Sequence, residues 1–350
     1  MHICFTLSSL SAGGAERVAS SLCNYFCNCG HRVSIILVSI GHNNSFYKLD
    51  ESIEVFPLLI NVKTRNPIKR IRLLKNKIKS LEPDIVISFL HHICIYTHLA
   101  LKNTDIPYIC SERCDPNQYP FHIKLLLKSA FKKADGCVFQ TRDAEEFFKN
   151  NNNSVIIPNP VFLSLSSSAE RHSIKDKVFI SVGRLTEQKN FGFLIDCFSE
   201  FVKKNKDYKL VIYGEGPLRG MLQKQITAFS LNNSIFLPGT NNHWHDEAIN
   251  ASCFISTSIY EGMPNCIEEA LSLGCPVIAT DCPVGGSKEL IDMFGTGKLI
   301  QVNNKQQLLD SMEEIIKEHF SCEAPDYSFV NINNIGQKWI DFIMKTLKLK

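Results

Sequence analysis

Residues 256–282 read STSIYEGMPNCIEEALSLGCPVIATDC, and this stretch decides the fold. Residues 254–258 close an apolar run of strand character, and 260–264 form a loop. Asn265 stands where an N-cap belongs, with Glu268 three residues on at the spacing of a capping box. The helix is expected to run to Leu273, with Gly274 as its C′ residue and Pro276 just beyond. Residues 276–280 make the next strand. Strand, loop, short helix and strand is the repeating unit of a parallel, doubly wound sheet.

Two carboxylates frame the turn: Glu261 before the helix and Glu269 in its first turn. Between them lie Gly262 and the free N–H groups of a helix N-terminus, which attract phosphate through unsatisfied donors and the helix dipole. A glycine there lets a ligand approach the backbone. Carboxylates beside an anion site are costly unless they face neutral hydroxyls. Sugar and ribose hydroxyls are such partners, so the stretch suits a sugar nucleotide. Glu268 is read as the capping residue.

Glu, seven residues, Glu, inside EGMPNCIEEALSLGCPVIAT, resembles the signature of the retaining glycosyltransferases of family 4, which have the GT-B fold. The fold class this implies is α/β: two facing Rossmann-like domains with parallel sheets and a cleft between them. The implied reaction moves a sugar from a nucleotide-sugar to an acceptor hydroxyl with retention at the anomeric carbon. The resemblance places Glu261 on the donor sugar hydroxyls and Glu269 on the ribose. It places Gly262, Met263, Pro264 and Asn265 along the donor.

The chain of 350 residues is long enough for two domains of ordinary size. With 44% hydrophobic and 21% charged residues it has the balance of a globular protein. No apolar run reaches membrane-spanning length. The opening MHICFTLSSL lacks the basic start of a signal peptide and reads as a first strand, so the protein is expected in the cytoplasm. The 14 Cys scatter through apolar segments and read as small buried hydrophobes in a reducing compartment. Cys23, Cys27, Cys29 and His31 cluster without the spacing of a usual zinc motif. Sequons such as 152–154 carry no meaning without secretion. Residues 1–170 hold 19 Lys and Arg against 14 Asp and Glu, and the remainder 19 against 21, so the first half is the basic one.

That half alternates strand-like runs at 3–7, 33–38, 53–58, 84–90, 108–110, 137–140 and 155–157 with helical patterns. Such sheets bind ligands at the carboxyl ends of their strands. SSLSAGGAER at 8–17 lies at the first such end. A similar loop in family 4 covers the donor diphosphate, which implicates Gly13 and Gly14. Residues 63–79, KTRNPIKRIRLLKNKIK, contain no acidic residue. Ile68, Ile71, Leu74 and Ile78 make an apolar stripe there. Lys69, Arg70, Arg72, Lys75, Lys77 and Lys79 flank it. The pattern recurs at 120–133, PFHIKLLLKSAFKK, and suits an anionic membrane surface; a core-packed helix with a solvated basic face is the alternative. After strand 84–90 come His91 and His92. Many family members carry a histidine near this strand end, registered on Phe89 here, so His91 or His92 is the candidate for catalysis or acceptor contact. The element SERCDP at 111–116 resembles a subgroup that extends polyprenyl-diphosphate-linked glycans, with Arg113 as the acceptor-phosphate contact.

The domain boundary is expected within 162–177, where LSLSSSA at 163–169 is Ser-rich. The alternation then restarts. Strand 178–182 leads into GRLTEQKN at 183–190, and the next helix carries Phe191, Leu194, Ile195, Phe198 and Val202 on one face. Arg184 and Lys189 leave one strand end, a planar fork and a point charge suited to a diphosphate. The same pair binds the donor diphosphate in family 4. Gly214-Glu215-Gly216 follows another strand, but the third glycine falls at 220 rather than 219 and no acidic residue ends the next strand, against a dinucleotide motif. The family has this turn as packing, and its Pro-Gly-Thr, here with Gly239, lies near the nucleobase. No Asp-x-Asp motif is present to hold a metal, so Arg184, Lys189 and the helix N-terminus take the charge of the leaving diphosphate. Residues 338–349 can form an amphipathic terminal helix, which in GT-B enzymes crosses back to the first domain.

The expected domains are 1–165 for the acceptor, 177–328 for the nucleotide-sugar, and a terminal helix at 329–350. The expected activity is a metal-independent, retaining hexosyltransferase without cofactor, using a UDP-linked hexose or N-acetylhexosamine. Its acceptor is a lipid-linked saccharide of bacterial surface polysaccharide, such as lipopolysaccharide or O-antigen, at the inner face of the plasma membrane. No nucleic-acid partner is expected. A non-catalytic partner subunit and a nicotinamide-dependent enzyme are the alternative classes.

Overall fold

A computed structural model describes residues 1–39, 44–59, 64, 66–148, 153–167, 176–241, 243–317 and 325–349. Lys63 at the head of the basic run, the Asn-rich residues 150–152 and residues 168–175 of the expected linker lie outside them. The chain divides into two compact units, Met1–Pro160 with Ser328–Lys350, and Val161–Tyr327.

The first unit contains β1 (His2–Leu7), α1 (Gly14–Asn28), β2 (Arg32–Leu37), β3 (Glu54–Pro57), α2 (Pro67–Leu81) and β4 (Ile85–Phe89). It continues through α3 (His91–Leu101), β5 (Tyr108–Ser111), α4 (Phe121–Lys133), β6 (Gly136–Phe139), α5 (Arg142–Phe148) and β7 (Ser154–Ile156). Its parallel sheet runs β3-β2-β1-β4-β5-β6-β7. β1 and β4 are buried along their whole length, as strands covered on both faces must be.

The second unit contains β8 (Asp176–Val182), α6 (Phe191–Lys204), β9 (Lys209–Tyr213), α7 (Arg219–Ala228), β10 (Ile235–Gly239), α8 (Trp244–Ala248) and β11 (Ala251–Ser256). It ends with α9 (Asn265–Ser272), β12 (Val277–Asp281), α10 (Gly286–Phe294), β13 (Lys298–Gln301) and α11 (Lys305–Ile315). Its sheet runs β10-β9-β8-β11-β12-β13, again parallel. The expected face of α6 is buried in the core.

In each sheet the winding reverses beside the first strand: between β1 and β4, and between β8 and β11. These are the topological switch points, where diverging loops leave room for a ligand. The last helix, α12 (Ile332–Lys348), belongs to the first unit and packs on α1. It starts inside the expected 329–350 span and ahead of the amphipathic pattern at 338, because Asn331 caps it, accepting from the Asn334 N–H at 2.8 Å. Ile335, Trp339, Phe342 and Ile343 bury its apolar face. At about 1.5–3 kcal/mol for each such side chain, this face holds the helix in place.

The α2 stripe needs correction. Leu74 and Ile78 are fully buried core residues, Ile71 is half-buried, and only Ile68 stands out, 75% exposed. Asn66 caps the helix through Ile68 N and Lys69 N, and the stripe faces inward because α2 must cover its sheet and pack on α3. The exposed apolar surface lies instead on α4, where Phe121 is 75% and Leu125 54% exposed.

Candidate functional site at the β8–β11 switch point

Gly183 leaves β8 and Thr257 leaves β11, side by side at the switch point. Two glycines let their loops close together. Gly214, at φ +140°, and Gly286 each sit where any Cβ would collide with a carbonyl oxygen, of Gly183 and of Gly262 respectively. Gly214 thus seats the Arg184 loop, and Gly286 seats the N-terminus of α10 against the loop before α9.

Lys189 and Glu261 meet here, with Nζ and Oε1 2.5 Å apart and side chains 16% and 10% exposed. Ser258 Oγ donates to the same oxygen at 2.8 Å, and Gln188 Nε2 reaches the other at 3.3 Å. Gln188 also ties to the Tyr260 carbonyl at 2.9 Å, and Thr257 Oγ1 to the Lys189 carbonyl at 3.1 Å. Burial alone would lower the Lys189 pKa, but the Glu261 charge outweighs it and holds the ammonium above its ordinary range. Arg184 is exposed, and its guanidinium has no partner among the described residues. One strand end therefore offers a paired cation and an unpaired one.

α9 departs from expectation at its start. Pro264 is the N-cap and makes no side-chain cap bond, so Asn265 is the first helical residue. Glu268 is thereby moved beyond reach of the N-cap and onto the core face. It is fully buried with no partner for either carboxyl oxygen, so it is not a capping residue. Burial first, and then the charge of Glu269, push its carboxyl well above the usual range. The far end is as the sequence indicates: Gly274, at φ +68°, donates to Leu271 O and Cys275 to Ala270 O, a Schellman motif.

Glu269, 2% exposed, receives a hydrogen bond from a residue that the sequence reading missed. His245 on α8 places Nε2 3.0 Å from Glu269 Oε2. A His in a short polar segment carries no periodic signal, and its partner lies far along the chain. Gly239, at φ +93°, ends β10 with its N-terminal neighbour strand β9 alongside. Among the described residues no group of three or more His, Cys, Asp or Glu could hold a metal ion.

The first unit gathers the remaining expected residues around its own switch point. Gly13 is the extended N-cap of α1, and its carbonyl accepts from Tyr47 Oη at 3.2 Å. The Glu16 carboxylate lies over Gly13, so an anion would have to displace it. Gly14 opens the helix. Across the switch point Leu90 follows β4 as the N-cap of α3, at φ +75° and ψ 147°, a conformation that strains a non-glycine residue by about 1–3 kcal/mol. His91 and His92 follow at the N-terminus of α3. Burial and then the charge of His92 push His91 down to about 4, and burial with Arg70 lowers His92. Both rings are neutral at pH 7. His91 stacks on Tyr119 at 4.0 Å.

Arg113 is 8% exposed. Its guanidinium lies 4.2 Å over the Phe89 ring, and Nη1 donates to Asn159 at 2.8 Å. Nε and Nη2 are buried without a hydrogen-bond partner, so a phosphate reaches them only if the side chain turns outward. Beside it Glu112 accepts from Arg113 N, Cys114 N and Tyr119 Oη, yet burial raises its carboxyl to about 7.

Comparison with known proteins matches two successive stretches of the chain to family profiles. The sequence profile described as Glycosyltransferase Family 4 matches residues 12–165, and that described as Glycosyl transferases group 1 matches 166–327. An uncharacterised glycosyltransferase of Methanocaldococcus jannaschii is 31% identical over 65% of this chain and 64% of its own. A Campylobacter jejuni α-1,4-N-acetyl-D-galactosaminyltransferase is 26% identical over 99% of this chain and 96% of its own. Its name specifies a GalNAc- and diNAcBac-containing glycan on diphospho-undecaprenol. Anabaena HepE, crystallised with UDP and glucose, superimposes with a TM-score of 0.78 at 16% identity over 99% of this chain and all of its own.

Proposed function

The chain belongs to the family 4 glycosyltransferases of the GT-B fold, and on that premise we propose that it transfers a sugar from a UDP-linked donor to a hydroxyl of a lipid-linked saccharide, with retention, in bacterial surface glycan assembly. The observation that carries the reading is the Lys189–Glu261 pair beside the unpaired Arg184 at the β8–β11 switch point.

In this reading the ion pair is the resting state. The hydroxyls of the donor sugar replace Lys189 as donors to Glu261, and Nζ moves onto the diphosphate next to Arg184. As the glycosidic bond breaks, charge builds on the leaving diphosphate. Two preorganised cations and the N–H groups at the start of α9 are placed to meet it without a metal. Glu269 takes the ribose, Gly262, Met263, Pro264 and Asn265 border the donor, and Gly239 lies toward the base. Gly13 and Gly14 are further donor contacts. The departing diphosphate assists deprotonation of the acceptor on the same face, as the family resemblance implies.

On the acceptor side, neutral His91 and His92 can each accept a proton or a hydrogen bond, and the strained Leu90 beside them fits a functional position. Arg113 is the acceptor-side cation, on the condition that its fork turns outward. The Campylobacter relative supports a polyprenyl-diphosphate glycan as acceptor. The exposed Phe121 and Leu125 of α4, with Lys124 and Lys128 among them, support docking on an anionic membrane face. No helix among the described residues is long and apolar enough to cross a membrane.

The test is a thermal-shift screen of UDP- and GDP-sugars, followed by release of free nucleotide from the donors that bind. A UDP-sugar that stabilises the protein and is slowly hydrolysed supports the reading. Binding without turnover, with or without acceptor, would favour a non-catalytic partner subunit.

A further inference from the structure

We propose that His245 is a positioning residue for nucleotide recognition, holding the Glu269 carboxylate in the place and orientation that accept ribose hydroxyls. The inference rests on the reading that Glu269 meets the ribose. His245 is 2% exposed, and its ring lies against Trp244 with centroids 4.3 Å apart. Nε2 is 3.0 Å from Glu269 Oε2, and the Ser164 N–H points at Nδ1 from 3.3 Å. A backbone N–H donates only to a bare lone pair, so Nδ1 is unprotonated and the ring proton sits on Nε2. That proton is donated to Glu269, a hydrogen bond strengthened by the carboxylate charge.

The ring cannot drift from this position. Ser166 N–H bonds Asp246 Oδ1 at 2.9 Å, so two successive residues of α8 are held by the segment 164–166. A donor fixed on Oε2 sets the rotamer of Glu269. A ribose then finds an oriented acceptor, at no cost in ordering the side chain.

The test uses the full chain and measures affinity for UDP and for 2′,3′-dideoxy-UDP, which lacks both ribose hydroxyls, with the guanosine pair in parallel. Thermal midpoints report folding. The wild type should prefer the nucleotide with hydroxyls by roughly tenfold or more, the worth of hydrogen bonds to a charged group. H245L should narrow that preference to within about threefold, leaving affinity for the dideoxy nucleotide unchanged. H245Q, whose amide can still donate to Glu269, should restore most of the preference. H245N, whose amide falls short, should not, and the Asn–Gln contrast serves if H245L does not fold. H245L combined with E269Q should match E269Q alone. A preference kept in both H245L and H245N overturns the proposal, as does equal loss for both nucleotides or a second, independent loss in the E269Q background. If E269Q itself keeps the full preference, the assignment of Glu269 to the ribose fails first.

Discussion

Lys189 and Glu261 neutralise each other, Nζ to Oε1 at 2.5 Å, in a site that also presents Arg184 unpaired. The two cations of one loop are therefore not equivalent. Removing Lys189 strands a nearly buried carboxylate, whereas removing Arg184 strands nothing.

That difference gives the first prediction. R184A and K189A should each lose roughly 2–4 kcal/mol of transition-state stabilisation, read from kcat/KM. Only K189A should also lower the thermal midpoint, because an unpaired Glu261 is left 10% exposed. Wild-type turnover in either variant would remove that residue from the site.

The two carboxylates should separate by ligand. E269Q should weaken binding of UDP itself, since the ribose is common to UDP and donor. E261Q should bind UDP as the wild type does and turn over slowly, since its proposed contact is to the sugar. Calorimetry with UDP decides, and equal losses would contradict the assignments.

Glu268 predicts a pH dependence of stability. Its folded pKa is raised, so between its ordinary value of 4.5 and the folded value the native state binds more protons than the unfolded chain. Stability therefore falls as pH rises through that window, by up to about 1.4 kcal/mol per pH unit. E268L should abolish this decline and stabilise the protein at neutral pH, as apolar replacement of an unpartnered buried group allows. Denaturation midpoints at pH 5 and pH 8 are the measurement, and a variant less stable than wild type at both would show that the carboxyl has a partner.

Membrane docking is tested on exposed residues only. Replacing Lys69 and Arg72 on α2 by Gln, with F121S on α4, should release the protein from vesicles containing anionic lipid. Each cation contributes about 1 kcal/mol there, and affinity should fall with salt. Transfer to a lipid-linked acceptor should slow far more than transfer to a short-chain analogue. Unchanged use of both acceptors would favour a soluble acceptor.

Much of this was legible in the sequence, for physical reasons. Strands such as His2–Leu7 and Ile85–Phe89 are buried on both faces and so read as apolar runs. Gly274 announced the end of α9, because a left-handed C′ residue calls for glycine. The start of α9 was misread because Pro264 takes the N-cap, and that single-residue displacement turns Glu268 inward. The stripe on α2 had the right period but served the core, since a pattern does not tell which surface will cover it. The short β13 went unnoticed, and α8 with His245 was invisible. A five-residue helix has no period to read, and its bond to Glu269 spans 24 residues.

The most direct test of the central claim is proton NMR of the reaction with a UDP-sugar and a polyprenyl-diphosphate saccharide, in the wild type and in K189A. The account predicts a new glycosidic anomeric signal of the donor's own configuration, released UDP, and a strong loss of both in K189A. Inverted configuration, or equal product from K189A, would contradict it.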